Sequence, residues 1–219
     1  MTGDRIPTTI LSIQEIPNGD AAFLLHLAVP RGHRSLGLIT TDCDDVSYAA
    51  LDEATKKAEV QVVYARSMYA GSANASTALA GEFIGILSGA DPAAVRSGLE
   101  AAVEFIREDA AFISADERDR VVYFAHCISR SGSYLSREAG VEEGTPIAYL
   151  IAPPVEAMVG LDAALKAADV TLQKFYGPPT ETNFAGGLLT GDQAACRAAC
   201  EAFRETICRI AEHPVENID

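Results

Sequence analysis

Three carboxylates crowd into four positions in 41-TDCDDVSYAALDEATKKAEV-60: Asp42, Asp44 and Asp45, with Cys43 between the first two. Such a cluster can do three kinds of work. It can hold a divalent cation, bind a small cationic ligand, or sit as the charged mouth of a helix. One carboxylate suffices to cap a helix and complement its positive end, worth about 0.3–1 kcal/mol. Three side by side repel one another unless a cation or hydrogen-bond donors answer them.

Metal-dependent catalysis needs convergent histidine and carboxylate ligands, or a nucleophile beside a base. The histidines at 26, 33, 126 and 213 form no ligand pair at helical spacing. The chain has no Gly-x-Ser-x-Gly turn and no phosphate-binding glycine loop. Ser131 and Ser133 near His126 are the nearest arrangement to a nucleophile, but 129-SRSGSYLS-136 reads better as a turn. A zinc site at His126 and Cys127 would need help from distant residues. Enzyme activity is therefore not expected, and no cofactor; a divalent metal at the acidic loop stays open.

The composition bounds the partners. Thirty-one acidic against 17 basic residues give a net charge of −14, which disfavours nucleic acid and anionic lipid. A mean hydropathy of +0.11 belongs to a globular chain with a generous core. No window approaches the ~20 apolar residues of a membrane helix, and MTGDRIPTTILSI lacks the apolar stretch of a secretory signal. Five cysteines, an odd number, read as reduced thiols. Cys196, Cys200, Phe203, Ile207 and Ile210 follow the apolar stripe of a helix, where cysteine packs as a small hydrophobe.

The elements that must position the aspartates come in two copies. Leu51, Asp52, Ala54, Lys56, Ala58 and Val60 are matched by Leu161, Asp162, Ala164, Lys166, Ala168 and Val170. Further on, 87-LSGADPAAVRSGLEAAVEFI-106 matches 189-LTGDQAACRAACEAFRETI-207 once one residue is dropped. Each half reads strand, alanine-rich helix, strand, hairpin, strand, second helix, and the first half carries an insertion around 64–81. Residues 34–41 alternate into a strand that ends at the aspartates, and Asp44 or Asp45 then caps a helix running to about Glu59. Its small inner stripe is Val46, Ala50, Ala54 and Ala58. Asp91-Pro92 starts another helix, with Val95, Leu99, Ala102, Val103 and Ile106 facing the core. Two tandem α/β units follow, each an open sheet with packed helices, divided at 1–108 and 109–219.

These residues resemble a known family. HRSLGLITTDCDDVSYAALDEATK, VVYARSMYAG, SRSGSYLS, AYLIAPPVEA, GLDAALKAADV and PPTETNFAGGLLTG are similar, in this order, to segments of the L-type shell proteins of ethanolamine-utilisation bacterial microcompartments. The resemblance implies two circularly permuted shell domains in tandem and a flat homotrimer that mimics a hexamer. It further implies tiling with other shell proteins, in a microcompartment shell within the cytoplasm, around a gated pore. Carried over position by position, it assigns ethanolamine contacts to Asp45, Glu82, Phe112 and Thr182, with Asp44 and Tyr69 close by in the pore loops. Asp45 and Glu82 would supply charge-assisted bonds to the ammonium. Cys43 departs from the small or polar residue expected between the aspartates. Read without the resemblance, Glu82 serves equally as an exposed strand-end charge, Phe112 as a core residue and Thr182 as part of a turn. A soluble sensor on the same doubled fold is the alternative function.

Overall fold

The computed structural model describes residues 1–68 and 81–215. Along the chain run β1 (Arg5–Ile6), β2 (Ile10–Ile16), α1 (Ala21–His26), β3 (Ser35–Thr41) and α2 (Asp44–Lys57). Then come β4 (Val60–Ser67), β5 (Phe83–Gly89), α3 (Pro92–Glu108), β6 (Phe112–Ser114), β7 (Val122–Ile128) and α4 (Ser133–Ala139). The last are β8 (Ile147–Ala152), α5 (Pro154–Ala167), β9 (Thr171–Tyr176), β10 (Ala185–Thr190) and α6 (Gln193–Glu212). No described helix is long and apolar enough to cross a membrane.

Two compact units emerge. One comprises Thr8–Ala110 with Ser131–Arg137, the other Met1–Pro7, Ala111–Arg130 and Glu138–Asp219. The first holds a sheet in the order β2-β3-β5-β4, the second a sheet in the order β1-β6-β7-β8-β10-β9, and every described pairing is antiparallel. The inner order β7-β8-β10-β9 repeats β2-β3-β5-β4 strand for strand, and α2 and α5 are equally long at the positions the repeat gives them. The long insertion between β4 and β5 lies mostly outside the described residues.

Helix starts follow local chemistry. Asp91 accepts the Ala94 N–H at 2.9 Å with Pro92 in the first turn, and Asp192 repeats the cap on Ala195 at 2.7 Å. In the first unit Val95, Leu99, Ala102 and Ile106 are buried as their spacing predicts, while Val103 is half-buried. Gly37 on β3 lets α3 lie close, because a Cβ there would meet Val95 at 2.6 Å and Leu99 at 2.9 Å. In the second unit Cys196, Phe203 and Ile207 pack with Leu150, Leu161 and Ala164, and Cys200 lies half-buried against them. Cysteine serves there as core.

Two expectations are corrected. Neither Asp44 nor Asp45 is the N-cap of α2: Cys43 holds that position without a side-chain cap bond, and both aspartates lie in the first turn. The turn is fixed instead by Thr41, whose hydroxyl donates to the Cys43 carbonyl at 2.9 Å and lies 2.7 Å from the Ser47 hydroxyl. Nor is SRSGSYLS wholly a turn, since its second half opens α4. Gly132 provides no side chain to cap that helix, so Asp52 on α2 does so from a distance. Its buried carboxylate accepts the N–H groups of Gly132 at 2.7 Å and Leu135 at 2.8 Å, and Thr55 accepts the Ser133 N–H at 3.1 Å. A Cβ on Gly132 would meet Thr55 Oγ1 at 2.3 Å, so only glycine fits.

Replacing Asp52 by Ala strands two buried N–H donors, and the expected loss of unfolding free energy is roughly 3 kcal/mol. Chemical denaturation checks it; an unchanged midpoint would show that Ser131–Arg137 is not held by this carboxylate.

Candidate functional site

The acidic loop sits where β3 ends and α2 begins. Asp42 faces Thr9, the residue before β2: its Oδ1 accepts the Thr9 N–H at 2.7 Å, and its own N–H donates to the Thr9 carbonyl at 3.1 Å. Asp44 and Asp45 turn inward and are each only 7% exposed. Asp44 Oδ1 accepts the Asp45 N–H at 2.9 Å at the positive end of α2. One helical turn on, the Tyr48 hydroxyl lies 2.8 Å from that of Ser67, which also bonds to Asp44. The Tyr48 ring packs edge-on to Phe83 at 4.9 Å and stacks on Tyr134 at 6.1 Å.

Glu82 reaches the same neighbourhood from the start of β5. Its N–H donates to the Thr41 carbonyl at 2.8 Å, and its carbonyl accepts the Met68 N–H at 2.6 Å. The preceding Gly81 has φ +69°, and a Cβ there would meet the Thr41 carbonyl oxygen at 2.4 Å. Glycine is thus required for β5 to enter beside the aspartates.

Electrostatics follow from burial. Burial holds the Asp44 carboxyl above its ordinary range, against the Ser67 hydroxyl and backbone N–H groups that favour the anion. Burial, then the charges of Asp44 and Asp42, push Glu82 up to about 7. Tyr48 is pushed up to about 12, first by burial. The Cys43 thiol is held well above the ordinary thiol range by burial and then by Asp44 and Asp45, so it stays protonated at neutral pH. Among the described residues no three His, Cys, Asp or Glu side chains converge on a geometry that could hold a metal ion. The arrangement gathers carboxylates where β3 ends, with no ion pair to Asp44 or Glu82 among the described residues and with Glu82 pushed up to about 7. A small ammonium is the kind of group that can displace the Glu82 proton.

The remaining expected site residues lie elsewhere. Phe112 belongs to the second unit, where its ring stacks on Phe124 at 5.5 Å and meets Phe184 edge-on at 5.7 Å. That side chain is part of an aromatic core. Thr182, also in the second unit, lies half-buried in a turn beside Asn183, which has φ +63°. Its hydroxyl makes no hydrogen bond among the described residues, whereas Thr180 bonds to the Phe184 carbonyl at 2.8 Å. Tyr69 lies outside the described residues. Tyr48 and Ser67 were missed from the sequence. Tyr48 stands four residues after Asp44 on one helix face, and that spacing was the available signal.

Because Glu82 binds its proton more tightly in the folded protein, its contribution to stability is present below pH 4.5 and is lost as pH rises through about 7. The Glu82→Gln variant is therefore expected to gain stability relative to wild type at pH 8 compared with pH 5. Urea midpoints at the two pH values measure this; a wild-type-minus-variant difference independent of pH would contradict it.

The BMC domain model matches residues 35–116. The bacterial microcompartment shell protein EutL of Clostridium perfringens is 59% identical over 215 residues, covering 98% of this chain and 99% of the relative. The protein of the same name from Salmonella typhimurium is 49% identical over 213 residues, 97% of each chain. The crystal structure of ethanolamine utilization protein EutL from Leptotrichia buccalis superposes with a TM-score of 0.97 at 60% identity, over 99% of this chain and 100% of that one.

Proposed function

The chain belongs to the family of bacterial microcompartment shell proteins represented by EutL, and from that premise we propose how it assembles into a tile and responds to a ligand. It is a structural shell component of an ethanolamine-utilisation microcompartment. Three copies form a ring of six similar units, and the ring tiles with other shell proteins.

One observation carries the ring: the two copies of the repeated helix are covered differently. On α2, Ala49 and Asp52 are buried, and Asp52 receives the start of α4. On α5 the matching Val159 is exposed, as is Val155, and Asp162 is held by the exposed Lys166 at 2.6 Å. Meanwhile α1 occupies between β2 and β3 the place α4 occupies between β7 and β8, yet none of its residues is buried. Phe23 is 41% and Leu25 81% exposed. An open apolar face and an open apolar helix on one chain make a head-to-tail contact, which closes into a ring. In this reading α1 of one copy lies on α5 of the next, as α4 lies on α2. Asp20 already caps α1 through the Ala22 N–H at 2.9 Å, so α1 needs no carboxylate from its neighbour.

For the ligand, ethanolamine bonds through its ammonium to Asp45 and Glu82 of the first unit. Burial of Glu82 beside the charges of Asp44 and Asp42 supports this reading. Ligand that binds one loop arrangement better than another shifts the pore by that difference in affinity.

Sedimentation velocity is expected to show a three-chain species for wild type and smaller species for Phe23→Asp and Val159→Asp. A monomeric wild type would sink the ring. Calorimetry is expected to show ethanolamine binding that Asp45→Asn weakens by about tenfold or more through loss of a charge-assisted bond; unchanged binding in the variant would remove this ligand site while leaving the tile intact.

A further inference from the structure

The first unit carries an open strand edge beside an open groove, and its internal copy shows what such an edge accepts. In the second unit β6 pairs with the outer edge of β7, Ile113 opposite Tyr123 and Ser114 opposite Val122, and Ile113 packs toward the core beneath α6. The matching strand in the first unit is β2. It is seven residues long and pairs only with β3 among the described residues. Unpaired N–H and C=O groups along such an edge are a template for strand addition.

Beside that edge, between β2 and α3, lies a cavity of about 710 Å³. Leu99, Val103 and Ile13 give it an apolar floor, and Ile13 is 37% exposed. Its outer wall is acidic. Glu100, Glu104 and Glu108 recur every four residues along α3, all exposed. Two cations share the wall: Arg96, engaged by Glu15 through two bonds of 3.0 Å that bolt β2 to α3, and Arg107. None of the three glutamates forms an ion pair among the described residues, so three carboxylates outnumber Arg107, the cation of the wall that Glu15 does not engage, over an apolar floor.

We propose that the β2 edge and the β2–α3 groove form a docking site for an extended segment of another polypeptide carrying alternating apolar and basic side chains. The backbone of that segment adds a fifth strand to the sheet beside β2. Its apolar side chains face Ile13 and Val103, and its lysines or arginines face Glu100 and Glu104. A second copy meeting this one groove to groove fits less well, because it would set its own row of glutamates against this one.

The test uses the full chain and a short fluorescent peptide of alternating Val and Lys, followed by anisotropy. Binding is expected to weaken by about tenfold or more in Glu100→Lys/Glu104→Lys, and similarly when alternate peptide amides are N-methylated and can no longer pair. Both glutamates are exposed, so this variant keeps its fold, and circular dichroism checks that. Equal binding of the N-methylated peptide would reduce the effect to bulk charge and overturn the proposal. So would binding indifferent to the double variant. Loss of self-association in Val103→Asp with no change in peptide binding would mark the groove as a contact between copies, and would also overturn it.

Discussion

A buried carboxylate cannot stand alone in this protein, and the partners found for Asp52 govern much of the rest. It lies fully buried, and burial opposes its charge. Two backbone N–H groups, from Gly132 and Leu135, and the Lys56 ammonium 3.8 Å away answer that cost. The bond set draws seven residues from the chain's second half into the first unit. It also fixes the outer face of α2, the helix whose first turn carries Asp44 and Asp45. Tyr134, brought in by the same segment, stacks on Tyr48 and so braces the hydroxyl chain from Tyr48 through Ser67 to Asp44.

The acidic recess follows the opposite logic. Asp44 is buried and Glu82 half-buried, and no basic side chain forms an ion pair with either among the described residues. The consequence is a proton held near neutral pH where a free glutamate would have lost it. Duplication explains why such an arrangement is tolerated at one site only. The second copy begins its helix with Pro153 and Pro154 where the first has Cys43 and Asp44, so the repeated fold carries the charge once. Divergence between copies also separates the covered face of α2 from the bare face of α5.

The doubling was legible in the sequence because it is written in small, spaced residues that reappear 110 positions on, as Leu51 and Asp52 do in Leu161 and Asp162. Caps made by neighbours in sequence were equally legible, as at Asp91 and Asp192. What stayed hidden were bonds closed over long stretches of chain. Nothing near Gly132 announces that its helix is capped by a residue 80 positions earlier. Nothing in TDCDD tells that Asp42 turns to Thr9 while Asp44 turns inward. The strand pairing of β1 with β6 was hidden for the same reason, since two- and three-residue strands carry too little alternation to be read.

In the proposed ring each chain brings two complementary open surfaces, α1 and the outer face of α5, that meet between copies. Cryo-electron microscopy of the purified chain tests it most directly. Three-fold particles are expected, in which Phe23 and Leu25 of each copy are seated against Val155 and Val159 of the next. Single chains, or rings in which the outer face of α5 stays open to solvent, would contradict it.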